Sequence, residues 1–213
     1  MPAAPRSSST AGEIMADHTV RALVLAAGAS SRMGRCKALL PWRGATFLAH
    51  ICAQLARAGL PRPVIVVPHS DDTIRRLHAA LCVDWALNPA PEDGMLSSLR
   101  CGLPRVPVGQ GVMVCLVDHP AVRANTYRAL CNAARADAIV VPVWRGRRGH
   151  PVVFGAAFRD ELMSGACPEG ARSVVHAHAD AIHEISIRDA GIVQDIDTPA
   201  EFAQLPGGVR HKL

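Results

Sequence analysis

Short apolar runs alternate with segments of helical periodicity along most of the chain. The apolar runs have strand length and are rich in β-branched residues, which predicts β-strands. They read RALVLAA, PVIVVP, VDWALN, GVMVCLVD, DAIVVPVW, GHPVVF and IHEISI. Between the first two runs, Leu48, Ile51, Cys52 and Leu55 repeat at the spacing of one helix face, and Gly59 then ends the predicted helix.

The other helical segments also follow predicted strands. The full set reads TFLAHICAQLARAG, DDTIRRLHAALC, MLSSLRCGL, NTYRALCNAAR and DTPAEFAQL, the last of which opens with the Thr-Pro-x-Glu signature of a helix N-terminus. This alternation predicts an α/β fold, a Rossmann-like, three-layer structure whose mostly parallel sheet carries helices on both faces. Such folds bind ligands beyond the carboxyl ends of their strands. The segments AAGASSR and VDHP, which follow the first and fourth runs, are therefore expected at the ligand-binding edge.

We predict one domain over residues 20–205, since no internal repeat and no linker long enough to divide domains interrupts that range. Residues 1–19 are rich in Ser, Ala and Pro and lack the apolar core of a secretory signal, so they are predicted to be disordered. The tail from 206 to 213 is predicted to fray. The total of 213 residues suits one α/β domain of ordinary size.

Composition narrows the class of protein. Hydrophobic residues make up 49% of the chain and aromatic residues only 4%, which predicts an aliphatic core, and no apolar run reaches the length of a membrane span. Seven cysteines, an odd number without a CxxC pair, favour free thiols in a reducing cytoplasm. The net charge of +5 comes with no long basic run or aromatic-interleaved stripe, so small anionic ligands are expected rather than a nucleic acid.

The stretch LVLAAGASSRMGRCKALLP follows the first predicted strand and has the small residues of a phosphate-binding loop. It does not fit the dinucleotide fingerprint, because Gly28 is followed by Ala29 and Ser30, and the second glycine is missing. It does not fit a P-loop either, because Gly28 and Gly34 are one residue too far apart and Arg35 follows the second.

The loop retains the means to bind a polyphosphate. Its backbone N–H groups can cradle phosphates. Arg32 adds a forked guanidinium and Lys37 a point charge. On these residues alone, an ordinary strand-to-helix turn with solvated basic side chains remains the alternative.

The complete pattern L-x-A-A-G-x-S-x-R-M-G-x-x-K-x-L-L-P resembles the signature loop of the MobA-like nucleotidyltransferases. These enzymes move a nucleoside monophosphate from an NTP to an acceptor phosphate, and they have the nucleotide-diphospho-sugar transferase-like fold. The matching residues are Leu25, Ala26, Ala27, Gly28, Ser30, Arg32, Met33, Gly34, Lys37, Leu39, Leu40 and Pro41. The A-A-G form is similar to that of the cytidylyl-transferring members, above all molybdenum cofactor cytidylyltransferase, whereas guanylyl-transferring members typically read A-G-G.

Three later segments extend the resemblance over about residues 20 to 205: NPAPEDGMLSSLRCGL, GHPVVF and DIDTPAEF. The resemblance implies a set of nucleotide-binding residues: Leu25, Ala26, Ala27, Gly28, Ser30, Arg32, Lys37, Asn88, Gly94, Met95 and Ser98. It implies acceptor binding by His119, Gly149, His150 and Pro151, although His119 departs from the D-M-P form of many relatives. The neighbouring Arg145, Arg147 and Arg148 either attract an anionic acceptor or form an exposed basic loop.

Nucleotidyl transfer joins two anions, so catalysis depends on alignment and on neutralising charge, and the resemblance implies Mg²⁺ as cofactor. We expect Arg32, Lys37 and Asp118 to be catalytic. Asp118, which follows the apolar strand GVMVCLV, is the expected main metal ligand, while Arg32 clamps the β and γ phosphates and Lys37 lies beside the α-phosphate. Asp197 is the expected second ligand and Asp195 a weaker candidate, with a plain helix cap as the alternative for either.

The resemblance thus implies a cytoplasmic, Mg²⁺-dependent transfer of CMP from CTP to the terminal phosphate of molybdenum-pterin cofactor, with release of pyrophosphate. Transient contact with a molybdoenzyme is expected, and a membrane or nucleic-acid partner is not. The alternatives are transfer with another base or acceptor, such as GTP or a sugar or alcohol phosphate, a nucleotide-dependent oxidoreductase, and a non-catalytic protein that delivers the cofactor.

Overall fold

The computed structural model describes residues 20–28, 30, 32–164 and 170–205, and within them the chain forms ten β-strands and seven α-helices. The strands are β1 (Val20–Leu25), β2 (Pro41–Trp42), β3 (Ala45–Thr46), β4 (Val64–Pro68), β5 (Asp84–Asn88), β6 (Gly111–Leu116), β7 (Ile139–Trp144), β8 (Arg147–Arg148), β9 (Val152–Phe154) and β10 (Ile182–Ser186). The helices are α1 (Phe47–Arg57), α2 (Thr73–Leu77), α3 (Met95–Gly102), α4 (Ala124–Ala133), α5 (Arg159–Met163), α6 (Ala171–Ala177) and α7 (Pro199–Gln204). The predicted disordered lead and frayed tail lie outside the described residues.

The sheet is mixed but mostly parallel. Its order is β10-β7-β9-β6-β1-β4-β5, with β8 paired to β7. β1 lies parallel to both β4 and β6, and the pairing of Leu25 with Leu116 brings the carboxyl ends of β1 and β6 to the same edge. β9 runs antiparallel between β6 and β7. All seven predicted strands are present, and the predicted mostly parallel sheet is confirmed.

Alternation along β1 divides the core into two layers of side chains. Ala22 and Val24 belong to one cluster, in which helices α1, α2 and α4 bury their apolar residues. Leu23 and Leu25 belong to the other, with helices α3, α5 and α6. Successive strand residues point to opposite faces, so one fully apolar strand supplies both cores. The predicted three-layer architecture is confirmed.

A third, smaller cluster fastens the loop after β1 to the segment before α7. Its buried members are Met33, Leu40, Trp42, Phe47, Ile196 and Leu205. The small hairpin β2–β3 contributes Trp42, whose ring meets Phe47 edge-on with centroids 6.4 Å apart. Because this cluster joins residues far apart in sequence, Lys37 comes to lie beside Asp197.

The structure departs from the expected helices in three places. Helix α2 ends at Leu77, whereas the prediction ran to Cys82, and the buried ring of the following His78 lies 2.8 Å from the Ile74 carbonyl oxygen and 2.6 Å from Thr46 Oγ1. The short helices α5 and α6 were not predicted. In the sequence, each of these helices is marked by only one pair of buried apolar residues, Phe158 with Leu162 and Ala171 with Val174.

Composition led to two expectations, the absence of a membrane span and the presence of free cysteines. No helix among them is both long and apolar enough to cross a membrane. The six cysteines outside the undescribed stretch 165–169 are all unpaired, as predicted, while Cys167 lies within that stretch.

Candidate active site

A cavity of about 330 Å³ lies at the carboxyl ends of β1 and β6, and we call it the loop cavity. Its walls include the loop after β1, Asp118 after β6, and the start of α3. Its lining comprises Leu25, Gly28, Ser30, Lys37, Pro91, Gly94, Met95, Ser98, Leu116, Val117 and Asp118. Seven of the eleven nucleotide-binding residues expected from the resemblance therefore face one space.

The loop is shaped by hydrogen bonds that centre on Ser30. The Ser30 carbonyl oxygen accepts the N–H groups of Met33 and Gly34 at 3.0 and 3.1 Å, and its hydroxyl accepts the N–H of Lys37 at 3.3 Å. Ser30 itself has a positive φ of 50°, a strained conformation for a non-glycine residue. The bonds hold Lys37 at the cavity although it lies seven positions after Ser30.

Ala26 and Ala27 differ from the other loop residues in what they touch. Both side chains are buried, Ala26 in one core cluster and Ala27 in the other. The Ala26 N–H donates to the carbonyl oxygen of Val66 at 2.9 Å. The small size of the A-A pair therefore serves packing at the end of β1, and neither side chain lines the loop cavity.

Four charged side chains form a chain of contacts beside the loop cavity. The Lys37 ammonium lies 3.1 Å from one oxygen of Asp118 and also pairs with Asp197. Arg32 pairs with the second oxygen of Asp197. Lys37 is 12% exposed and Arg32 72%, so the lysine is enclosed at the centre while the arginine lies at the rim.

These contacts keep the central pair ionised. Burial alone would raise the pKa of Asp118, but a hydrogen bond from His119 at 2.7 Å and the charges of His119 and Lys37 hold that pKa at about 2. Burial likewise opposes the charge of Lys37, but the hydrogen bond to Asp197 and the charge of Asp118 raise its pKa overall. Near neutral pH the carboxylate of Asp118 is therefore charged and able to bind a cation.

The donor set at this point fits a hard divalent cation. Asp118 and Asp197 converge on a single ammonium group, so their oxygens lie within reach of one small cation. One or two carboxylates, completed by phosphate oxygens and water, are the ligands that Mg²⁺ prefers. Over residues 20–28, 30, 32–164 and 170–205, no group of three or more His, Cys, Asp or Glu could hold a metal by itself.

The segment before α7 separates the two candidate second ligands. Thr198, not Asp197, caps α7: its hydroxyl accepts the N–H of Glu201 at 3.3 Å, and the Glu201 carboxylate accepts the N–H of Thr198 at 2.8 Å. The alternative of Asp197 as helix cap is therefore wrong, and its carboxylate is free to meet Lys37. Asp195 lies in a separate surface groove beside Trp144 and does not join the loop cavity.

Asn88 and Ser98 organise the wall on the α3 side. Asn88 is buried, and its amide group donates to the hydroxyls of Ser97 and Ser98 at 2.8 and 3.0 Å while its oxygen accepts the N–H of Ala90 at 2.9 Å. Ser98 reaches the loop cavity and Asn88 does not. Asn88 therefore fixes the turn from β5 to α3 and is a support for the cavity wall.

A second and larger cavity of about 580 Å³ adjoins the first, and we call it the α6 cavity. The two share Met95 at the start of α3. The lining of the larger comprises Met95, Val114, Val141, Arg148, Gly149, His150, Val152, Phe154, Ala171, Arg172, Val175 and His176. The expected acceptor residues Gly149 and His150 line it, whereas Pro151 is buried beside it.

The Gly149–His150 pair is positioned by close backbone contact. A Cβ on Gly149 would lie 2.2 Å from the carbonyl oxygen of Ile192, so only glycine fits. That oxygen accepts the N–H of His150 at 2.7 Å. The His150 ring meets the ring of His119 with centroids 5.3 Å apart, so His119 connects the α6 cavity to Asp118. Burial, and then the neighbouring His119, lower the pKa of His150 to about 4, which keeps the ring neutral near neutral pH.

Sequence reasoning missed the contribution of α6, namely Arg172, Val175 and His176. Of the three arginines expected near the acceptor, only Arg148 lines the cavity, and its guanidinium pairs with Glu184 at 2.6 Å. Arg145 stacks over Trp144 instead, at 4.8 Å from the ring centroid.

The sheet and the cavity at its carboxyl edge define an α/β protein of the nucleotide-diphospho-sugar transferase type. The sequence profile of the MobA-like NTP transferase domain matches residues 22–182, and the chain belongs to this family. The predicted family and enzyme class, a nucleotidyltransferase, are confirmed.

Three relatives indicate the range of that similarity. The chain is 26% identical over 185 residues to the molybdenum cofactor cytidylyltransferase of Escherichia coli, covering 84% of this chain and 92% of that protein. It is 28% identical over 195 residues to the nicotine blue oxidoreductase of Paenarthrobacter nicotinovorans, covering 87% and 96%. The crystal structure of Rv0371c from Mycobacterium tuberculosis superposes with a TM-score of 0.75 at 26% identity, covering 86% and 95%.

Proposed function

We propose that this enzyme transfers CMP from CTP to the terminal phosphate of molybdenum-pterin cofactor and releases pyrophosphate. The observation that carries the proposal is the pair of adjoining cavities, which meet at Met95 and are joined by the line Asp118, His119 and His150. The loop cavity has the charges that a triphosphate requires, and the α6 cavity is larger and mostly apolar, as a fused heterocycle requires. The similarity to a molybdenum cofactor cytidylyltransferase supports the same acceptor.

In this proposal the residues around the loop cavity bind the nucleotide. Backbone groups of the loop near Gly28 and Ser30 contact the phosphates, and Arg32 binds the β and γ phosphates from the rim. Asp118 and Asp197 hold Mg²⁺, which would neutralise phosphate charge when bound. Since Arg32 and Lys37 both pair with Asp197 in this structure, binding of the nucleotide requires that these cations exchange a carboxylate for phosphate oxygens.

The proposed reaction is an in-line displacement. An oxygen of the acceptor phosphate forms a bond to the α-phosphorus of CTP. The bond between that phosphorus and the oxygen shared with the β-phosphate breaks, and pyrophosphate leaves with the electron pair. Both reactants are anions, so the protein contributes by aligning them and by placing positive charge beside them. The enclosed ammonium of Lys37, next to Asp118, is suited to stabilise negative charge as it develops at the α-phosphate.

The first experiment measures pyrophosphate release with Mg²⁺ and molybdenum-pterin cofactor, with CTP and GTP offered separately. We expect release with CTP and much less with GTP. Asp118→Asn and Asp197→Asn should each lower the rate by about 10- to 100-fold or more, since each removes a charged metal ligand. Asp195→Asn is the matched control, two residues from Asp197 but outside the loop cavity, and should keep the rate within about twofold.

Each result has a distinct meaning. A preference for GTP would overturn the choice of base and leave the acceptor intact. Release only with a sugar or alcohol phosphate would overturn the acceptor. An equal loss of rate in the Asp195 and Asp197 variants would contradict the assignment of the second metal ligand.

The similarity to a nicotine blue oxidoreductase favours a second candidate, reduction of a heterocycle by a reduced nicotinamide nucleotide bound at the same edge. Oxidation of the reduced nicotinamide in the presence of an oxidised heterocyclic dye, followed by its absorbance, tests this candidate.

A contact with the recipient molybdoenzyme also belongs to the proposal. Co-purification with such an enzyme but without any turnover would favour a protein that only delivers the cofactor.

A further inference from the structure

Arg172 stands out among the residues that line the α6 cavity. It lies in the first turn of α6, and its side chain reaches the cavity. The other arginine of the lining, Arg148, is paired with Glu184. Within the described part of the chain Arg172 has no ion pair and no hydrogen bond, so its guanidinium is available to a ligand.

A second uncommitted polar group lies nearby. The Nδ1 atom of His150 is buried and has no hydrogen-bond partner among the described residues. The charge of Arg172 is close enough to this ring to act on it, since it contributes to the low pKa of His150. His150 in turn contacts His119, the neighbour of Asp118. His150 therefore lies on the side of the α6 cavity that leads towards the loop cavity, and the charge of Arg172 acts on its ring.

Apart from Arg148 and His176, the remainder of the α6 cavity is lined by apolar side chains and Gly149. Strands β6, β7 and β9 contribute Val114, Val141, Val152 and Phe154 to its lining. A sugar phosphate would leave most of its hydroxyl groups facing hydrocarbon, at a cost for each group that loses water without gaining a partner. A planar heterocycle with a single anionic substituent has its polar groups on the ring edge, so it can lay an apolar face on this lining and keep the edge away from it.

We propose that Arg172 binds the phosphate monoester of the acceptor and thereby selects phosphorylated over unphosphorylated heterocycles. A guanidinium can make two parallel hydrogen bonds to one phosphate, which fixes its orientation as well as its position. Arg172 would hold the acceptor phosphate on the path from the α6 cavity to Lys37 and Asp118. The choice of a pterin as the heterocycle rests on the proposed function, while the role of Arg172 towards a phosphomonoester does not.

The test compares binding of two probes, 6-hydroxymethylpterin monophosphate and 6-hydroxymethylpterin, by isothermal titration calorimetry of the full chain. The wild-type protein should bind the phosphate more tightly than the alcohol by about tenfold or more. Arg172→Gln should weaken binding of the phosphate by about 10- to 100-fold and leave that of the alcohol unchanged. Arg172→Lys should restore part of the loss, because it keeps the charge but not the fork.

Arg105→Gln serves as the matched control. Arg105 is exposed at the end of the short turn after α3, and it too lacks an ion pair among the described residues. This variant should bind both probes as the wild type does. CTP should bind equally to the Arg172 and Arg105 variants, which shows that both have folded.

The role of Arg172 is overturned if Arg172→Gln binds the pterin phosphate as tightly as the wild type, or if it loses both probes equally. If the wild type binds neither pterin but transfers CMP to a sugar or alcohol phosphate, the proposed acceptor fails, and the variants are compared on that acceptor instead. An unchanged KM for that phosphate in Arg172→Gln, with wild-type KM for CTP, would then overturn the role of Arg172 independently. Absence of affinity and turnover with every phosphomonoester would overturn both.

Discussion

The two adjoining cavities differ in how their charges are balanced. Beside the loop cavity, Lys37 and Arg32 are both paired with carboxylates, so the charges neutralise one another before any ligand binds. In the α6 cavity, Arg172 has no such partner within the described residues. A ligand of the first cavity must therefore exchange partners with an existing network, whereas a ligand of the second meets an available cation.

This difference has consequences for binding. An exchange of partners gives little net electrostatic gain and favours a ligand that carries several charges and its own cation, as a metal-bound triphosphate does. An unpaired guanidinium can make charge-assisted hydrogen bonds to a single phosphate without first giving up a carboxylate. We therefore expect changes of charge beside the loop cavity to act on the rate of transfer, and changes beside the α6 cavity to act on the binding of one substrate.

The largest effect should come from Lys37→Met, which removes the centre of the charge network. We expect kcat to fall by about 100- to 1000-fold, because the positive charge beside the α-phosphate is lost and two partly buried carboxylates are left facing each other. Steady-state kinetics with CTP measures the effect. Lys37→Arg is the control that retains charge.

Transfer by Lys37→Met at a rate within tenfold of the wild type would show that the network is structural. If Lys37→Met kept its rate of transfer and Arg172→Gln lost it, the α6 cavity, and not the loop cavity, would be the one whose charge sets the rate.

The loop cavity could largely be predicted from the sequence, because one contiguous motif forms much of it. Gly28, Ser30 and Lys37 lie within ten residues of one another, and the Ser30 hydroxyl holds the Lys37 backbone. Asp118 could be placed because it follows an apolar strand that parallels β1. The pairing of Asp197 with Lys37, which are 160 positions apart, was harder to predict, because it depends on packing between Met33, Leu40 and Ile196.

The α6 cavity could be predicted only in part. His150 and Gly149 were found through the resemblance, but Arg172 was not, because α6 has only seven residues and a weak apolar pattern. Its walls come from β6, β7, β9 and α6, and no local spacing shows that these elements meet. The same lack of local pattern explains why the end of α2 was wrong: the contacts of His78 with Ile74 and Thr46 are made at that position only in the folded chain.

Two glycine substitutions, one in each cavity, should have effects of intermediate size that differ between the cavities. Gly149→Ala should lower the free energy of unfolding by about 1–3 kcal/mol, because its Cβ would overlap the Ile192 carbonyl oxygen, and should raise KM for the acceptor. Gly28→Ala meets no atom within 4 Å, so it should change stability by less than about 0.5 kcal/mol and raise KM for CTP instead. Urea unfolding and steady-state kinetics measure both effects. Equal losses of stability would contradict the assignment of Gly149 as a packing position.

The smallest effect is expected from the titration of His150. Its pKa is lowered in the folded protein from an ordinary value of 6.5 to about 4, so between these values the unfolded chain binds a proton that the folded chain does not. Stability from this group is therefore complete above about pH 6.5 and falls as the pH decreases towards 4. When the pH is lowered from about 7 to about 5, the free energy of unfolding of the wild type should fall by about 1–2 kcal/mol more than that of His150→Gln. The control is His183→Gln, which alters an exposed histidine on β10 and should show the same pH dependence of stability as the wild type. Identical pH dependence in all three proteins would contradict the burial of His150 as the cause.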